Sequence, residues 1–423
     1  MKQIELTNGM RAFLVPVEGT QATTVLVMAK VGSRYETPEL SGASHFIEHM
    51  MFKGSTALPT PAHVSRALDA IGAEFNAYTS KEYTGYYIKS DSTHAQFAIQ
   101  TLYDMNFDSL YNEEEMDRER RVIIEEINMY EDSPTRHIDE LLERVMFRGN
   151  SLERDIAGTP ATMRAMDRKA VMAFRDQHYT PDRMTIAVAG NVTPEVETWL
   201  NATFGTVESL LASDGYGAFN GFASQDVPPI EMQQKATEQV HIGLGFPGLS
   251  HNDERGDTMR LLSTMLGGNM SSRLFMNVRE KGGLAYRINC YHSAYEDAGI
   301  TSILAGLDKT RLSEAMDRIF EEINDLVTNG PTDEEMDRTK AFLRGRILLG
   351  IEDSSERAEW YAKQALFQEV VPSPEDRIAA LQKITKQDVQ TLAKELFDRS
   401  KMTMSYIGPE TDPDVIRATL PPR

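Results

Sequence analysis

Apolar and polar positions change their period several times along the chain, and each period predicts an element. Ile4 and Leu6, then Arg11 to Val15, flank Asn8-Gly9, a dipeptide that accepts the positive φ angles of a tight turn, so the chain opens on a hairpin. Thr24 to Val31 is an apolar, β-branched run suited to a buried strand. Residues 41–53, 61–71, 92–108 and 113–131 carry helical spacing. Between them Glu74 to Lys89, rich in Tyr, Thr and Phe, predicts a pair of strands, and Met184 to Ala189 predicts another. Strands and helices mix without strict alternation, which predicts an α+β fold with mostly antiparallel sheets rather than a doubly wound one.

A turn-rich stretch from Ser209 to Pro229, with Gly215, Gly217, Gly221 and Pro228-Pro229, interrupts the periodic segments near mid-chain. Two repeated segments lie on either side of it. Glu114-Glu115-Met116-Asp117-Arg118 recurs as Glu334-Glu335-Met336-Asp337-Arg338, and Glu131-Asp132-Ser133 recurs as Glu352-Asp353-Ser354, about 220 residues on in both cases. The expected organisation is therefore two related domains, 1–208 and 230–423, joined by a linker over 209–229. At 423 residues the chain is long enough for two cores.

Charge narrows the function. With 44 basic and 64 acidic residues the net charge is −20, which excludes nucleic acid as the natural partner. If the excess acid lines a cavity, it favours cationic peptides. No apolar run approaches the roughly 20 residues that span a bilayer, and no apolar core follows the basic start, so neither membrane insertion nor a signal peptide is expected. The one cysteine, Cys290, cannot close an internal disulfide, and a reducing cytoplasm is the expected location.

The chemistry concentrates in His45-Phe46-Ile47-Glu48-His49. On a helix, residues i and i+4 share a face, so both imidazoles reach one metal ion with Glu48 beside them. This is the inverted form of the zinc-peptidase motif. Phe46, Ile47, Met50 and Met51 make the helix largely apolar, and two buried, unpaired histidines would be costly without a metal. Catalytic zinc needs a third protein ligand. The 113–131 helix offers Glu119, Glu125 and Glu126. The first and last are two turns apart and share a face, Glu125 points away, and spacing alone leaves the choice open.

His45-Phe46-Ile47-Glu48-His49-Met50 with Glu126 resembles the pitrilysin/insulinase family of zinc metallopeptidases. So do Phe75-Asn76-Ala77-Tyr78-Thr79-Ser80, Tyr179-Thr180-Pro181-Asp182-Arg183-Met184 and Ala189-Gly190-Asn191, and the likeness spans nearly the whole chain. The resemblance implies one zinc ion per chain held by His45, His49 and Glu126, Glu48 as general base, and Glu119 as a carboxylate behind the ligand histidines. It implies that Arg279 and Tyr286, in Arg279-Glu280-Lys281-Gly282-Gly283-Leu284-Ala285-Tyr286, clamp substrate and donate to the developing oxyanion. By residue type alone these two read as a helix-end arginine and a packed strand tyrosine. The second half has no metal motif, with Arg346 where the repeat puts Glu126's counterpart.

Four related domains enclose a chamber in clam-like family members. A two-domain chain is thus expected to dimerise around its substrate, as a homodimer or with a zinc-less homologue; the regulatory partner's glycine-rich loop is only faintly echoed at Gly267-Gly268. Substrate peptides, small or unfolded, are expected to add a strand along Glu74–Tyr78, with Asn76, Ala77 and Tyr78 in contact. The implied activity is oligopeptide degradation or presequence processing. One local departure is Leu152-Glu153-Arg154, where family members often carry Leu-Gly-Arg. Two other readings compete: a non-catalytic assembly subunit of the same fold, and a cysteine peptidase built on Cys290 and His292.

Overall fold

The computed structural model describes residues 1–208 and 215–422. Its first sheet contains β1 (Lys2–Glu5), β2 (Arg11–Pro16), β3 (Ala22–Ala29), β4 (Glu74–Thr79), β5 (Thr84–Asp91) and β6 (Met184–Gly190), in the order β1-β2-β6-β3-β5-β4. Only β2 and β6 run parallel. The predicted hairpin is β1–β2, with Gly9 at φ +88° in its turn. The second sheet contains β7 (Ile230–Gln234), β8 (Gln239–Pro247), β9 (Ala285–Ala294), β10 (Gly299–Asp308) and β11 (Thr403–Gly408), in the order β7-β11-β8-β10-β9. Here too one pair, β7–β11, is parallel. Apart from β1, the two orders superpose strand for strand in sequence, which is the structural form of the repeat. The fold is α+β, as the pattern predicts.

The first half carries helices α1 (Ala43–Met51), α2 (Pro61–Asp69), α3 (Ala95–Phe107), α4 (Glu113–Asp132) and α5 (Pro134–Met146). β3 and β6 are buried along nearly their whole length because both faces of the sheet are covered. Val25, Val27 and Ala29 of β3 join one core with Phe46, Ile47 and Met50 of α1 and Met116 and Ile123 of α4. Leu26 and Met28 face the other way, into a core completed by Ala358, Tyr361, Ala362 and Ala365 of the Ser354–Phe367 helix. Thr24 Oγ1 bonds Ser354 Oγ at 2.8 Å and Thr185 Oγ1 donates to the Ala362 carbonyl at 2.9 Å, fixing that helix on β3 and β6.

The same exchange occurs in reverse. On the second sheet, Ile138, Leu141, Leu142 and Val145 of α5 cover Ile300, Leu304 and Ile407. Ser405 Oγ donates to the Ile138 carbonyl at 2.8 Å. Gly243 and Gly245 leave room for Leu142, whose methyls lie 3.3 and 3.2 Å from where their Cβ atoms would be.

The compact units are therefore 1–128 with 154–216 and 348–371, and 129–153 with 217–347 and 372–423. This corrects the contiguous 1–208 and 230–423 division: each half lends one helix to the other's sheet. The central crossing, between Tyr216 and Gly217, falls inside the predicted 209–229 linker, whose residues 209–214 lie outside the described ones. Among the described residues no helix is long and apolar enough to cross a membrane.

Candidate metal centre

α1 buries Phe46, Ile47, Met50 and Met51 and turns His45 and His49 toward α4. α4 packs through Met116, Ile123 and Ile127, with Glu119 buried in the same stripe. The counterpart stripe of the Asp333–Gly350 helix is Met336, Thr339, Leu343 and Ile347, so the second half has a hydroxyl where the first has Glu119.

His45 Nε2 and His49 Nε2 lie 3.2 Å apart. Glu126 Oε2 is 3.8 Å from the first and 3.6 Å from the second. The three side chains are 12%, 20% and 23% exposed, leaving the centre half-open. A tetrahedral zinc ion with bonds of about 2.0–2.1 Å spaces its ligand atoms about 3.3 Å apart, so the triangle fits. Glu126, not Glu119, completes it. Glu119 Oε1 instead meets His49 Nδ1 at 2.7 Å, while its Oε2 takes the Lys53 ammonium at 2.7 Å. With Nδ1–H donating to a carboxylate, the lone pair of His49 is on Nε2, on the metal side. Glu125 is exposed, as the helix spacing predicts.

The charge states agree with this geometry. Burial, helped by the neighbouring His49, pushes His45 down to about 3, so its imidazole is neutral. Burial also raises the Glu48 carboxyl above its ordinary value, against a hydrogen bond from Thr79 Oγ1 at 2.5 Å. Glu119 is held below its ordinary value: burial pushes it up, but the bonds from His49 and Lys53 together prevail.

Sequence reasoning missed three side chains around the centre. Thr79 lies two residues beyond Ala77 on β4, hence on the strand face toward α1, and strand alternation was the available signal. Lys53 follows His49 by one helical turn. Glu36 accepts from the backbone N–H groups of Gly42 and Ser44, each at 2.7 Å, and nothing in its local sequence announces this.

Burial raises Glu36 to about 7, prevailing over the two N–H bonds. The folded value lies above the ordinary carboxyl value of 4.5. The stabilising contribution is full below the unfolded pKa and is lost as pH rises through about 7. Between acid and mildly alkaline pH, wild type is expected to lose about 3 kcal/mol relative to Glu36→Gln in denaturant titrations. Parallel pH curves for the two proteins would refute this.

Among the described residues β4 pairs with β5 alone, which makes it an edge strand. Asn76 is exposed, and its Oδ1 accepts the Ala77 N–H at 2.9 Å. Ala77 is buried in the core shared with α1. The Tyr78 ring turns to the opposite face and packs with Tyr83 and Tyr87, so only its backbone faces the edge.

Arg279 and Tyr286 belong to the other unit. Tyr286 is the second residue of β9, itself an edge strand, and is 74% exposed, so it is no packed sheet tyrosine. The Arg279 guanidinium lies 5.8 Å from its ring and 4.6 Å from Phe275. Cys290 is buried, and burial pushes its thiol up to about 12. His292 Nε2 is engaged with the backbone of Leu249. Neither is disposed as a nucleophile–base pair.

Comparison with known proteins agrees with this picture. A family profile described as "Insulinase (Peptidase family M16)" matches residues 13–160, and one described as "Peptidase M16 inactive domain" matches 165–343. The chain is 35% identical to an uncharacterized zinc protease of Bacillus subtilis, over 94% of this chain and 96% of that one. It is also 35% identical to an uncharacterized zinc protease of Streptomyces coelicolor, over 99% and 91%. A protease structure from Helicobacter pylori superposes with a TM-score of 0.90 at 22% identity, covering 96% of this chain and 99% of that one.

Proposed function

Because the chain belongs to the insulinase (peptidase M16) family, we propose that it is a zinc-dependent endopeptidase acting on small or unfolded peptides. The observation that carries the reading is the convergence of His45, His49 and Glu126 to tetrahedral spacing beside a half-buried, ionisable Glu48. Zinc at this centre supplies a Lewis acid that activates water and polarises the peptide carbonyl.

The chain's own residues do the rest. Glu48, its carboxylate oriented by Thr79, takes the proton of the attacking water and passes it to the departing amine. Burial raises its pKa, which brings it closer to the pKa a two-way proton carrier needs than that of an ordinary carboxylate. Glu119, held by Lys53, fixes the tautomer of His49. The free edge of β4 offers backbone N–H and C=O groups to an extended substrate, which favours unfolded peptides over folded ones. In this reading the exposed Tyr286 and the half-buried Arg279 of the other unit clamp substrate within a dimer, either of this chain or with a zinc-less homologue.

The test is cleavage of a mixed peptide library by the full chain, with metal content and particle mass measured on the same sample. One zinc per chain, internal cuts abolished by a chelator and restored by zinc, and a dimeric active particle are expected. A zinc-loaded chain that cuts nothing would instead favour an assembly role.

A further inference from the structure

α1 has only nine residues, yet it carries both imidazoles and Glu48. So short a helix has little stability of its own, and its position must come from outside. Its first N–H groups also need acceptors. Gly42, at its N-cap, offers no side chain, and no side-chain cap forms there from the helix's own sequence. The acceptor is Glu36. Both carboxylate oxygens are used, Oε2 by the Gly42 N–H and Oε1 by the Ser44 N–H, each at 2.7 Å. The carboxylate sits at the positive end of the helix dipole, one residue before His45, and is 3% exposed.

Glu36 is itself framed. Its carbonyl accepts the Arg154 guanidinium, whose own carbonyl accepts the Lys81 ammonium at 2.9 Å. Lys81's carbonyl accepts the Arg34 N–H at 2.8 Å, and the Arg34 side chain pairs with Glu82 at 2.5 Å. Lys81 and Glu82 lie in the turn between β4 and β5. The frame thus joins the start of α1 to the end of the strand whose Thr79 bonds Glu48. Backbone packing closes the frame on its other side. A Cβ on Gly42 would come within 2.6 Å of the Ala157 carbonyl oxygen, and one on Gly158 within 2.2 Å of that of Ser41.

We propose that Glu36 is a positioning residue: its carboxylate sets the placement of α1 so that the two Nε2 atoms and Glu48 share one centre with Glu126. The proposal rests on the zinc reading above. Stability and placement are separable here, because burying Glu36 is itself unfavourable once it ionises, so a variant can gain stability and still lose registration of the helix.

The experiment uses the full chain as wild type, Glu36→Ala and Glu36→Gln. Zinc affinity is read by competition with a chromophoric chelator, ligand geometry by the visible absorption of the cobalt(II)-loaded protein, and folding by apo-protein melting at pH 8. Glu36→Ala is expected to weaken zinc binding about tenfold or more and to alter the cobalt spectrum. Glu36→Gln, retaining one acceptor oxygen, is expected to fall between it and wild type while melting no lower than wild type. Should Glu36→Ala fail to fold, Glu36→Gln decides. Folded variants with wild-type affinity and spectrum overturn the proposal, even if their melting changes. A wild type that takes up neither metal overturns the zinc reading instead.

Discussion

Glu48→Gln is expected to lower peptide cleavage by about 10³-fold or more while zinc uptake stays at the wild-type level. The substitution preserves shape, and the amide oxygen can still accept from Thr79 Oγ1. What it removes is the ability to take a proton. Glu48 is not one of the three side chains that meet at tetrahedral spacing, so the centre itself is left intact. Steady-state kinetics with a quenched fluorescent peptide, alongside metal analysis of the same preparations, measures both quantities. The loss should fall on kcat rather than KM, because Glu48 acts in the transition state and adds little to substrate binding. Wild-type activity should also decline on the acid side at a pH above the ordinary carboxylate range, since burial raises Glu48 and only its ionised form is a base. A Glu48→Gln enzyme retaining a tenth of the wild-type rate would remove this carboxylate from the chemistry.

How much of this centre can be read from sequence depends on the range of each relationship. His45 and His49 are legible because one helical turn is a local fact, and the apolar residues around them mark the helix as buried. The choice between Glu119 and Glu126 is not local. Both lie on one face of α4, and only the docking of α4 against α1 gives Glu126 to the metal centre and Glu119 to the back of His49. The family likeness implies Glu126 where spacing leaves the choice open, and Glu126 is the carboxylate that lies with the two imidazoles.

The strands of the first sheet are legible for a similar reason, and the apolar run of β3 marks it as buried. What covers the second face is hidden. The amphipathic stripe of α5 or of the Ser354–Phe367 helix reads the same whichever sheet receives it, and the repeat makes both sheets plausible hosts. The exchange of helices is therefore a long-range selection, invisible to periodicity. Glu36 is hidden too, since a glutamate after a glycine-containing turn ordinarily reads as a solvated charge.

Arg34→Met is expected to destabilise the first unit by about 3–5 kcal/mol at neutral pH. Arg34 is fully buried, its guanidinium 2.5 Å from a Glu82 carboxylate that is 1% exposed and 3.9 Å from the Tyr216 ring centroid. Methionine fills much of the same volume, so the loss comes chiefly from taking the guanidinium charge away from Glu82 in a low-dielectric site rather than from a cavity. Glu82 can limit that cost by taking up a proton. In the variant its pKa should therefore rise, and the deficit relative to wild type should grow as pH increases from 5 to 8. Pairing the change with Glu82→Leu removes the carboxylate as well, and the double variant should recover part of the stability. Denaturant unfolding of wild type, both single variants and the double variant at two pH values closes the cycle. If Arg34→Met alone costs less than 1 kcal/mol at pH 8, the buried pair does not hold the β4–β5 turn against the start of α1.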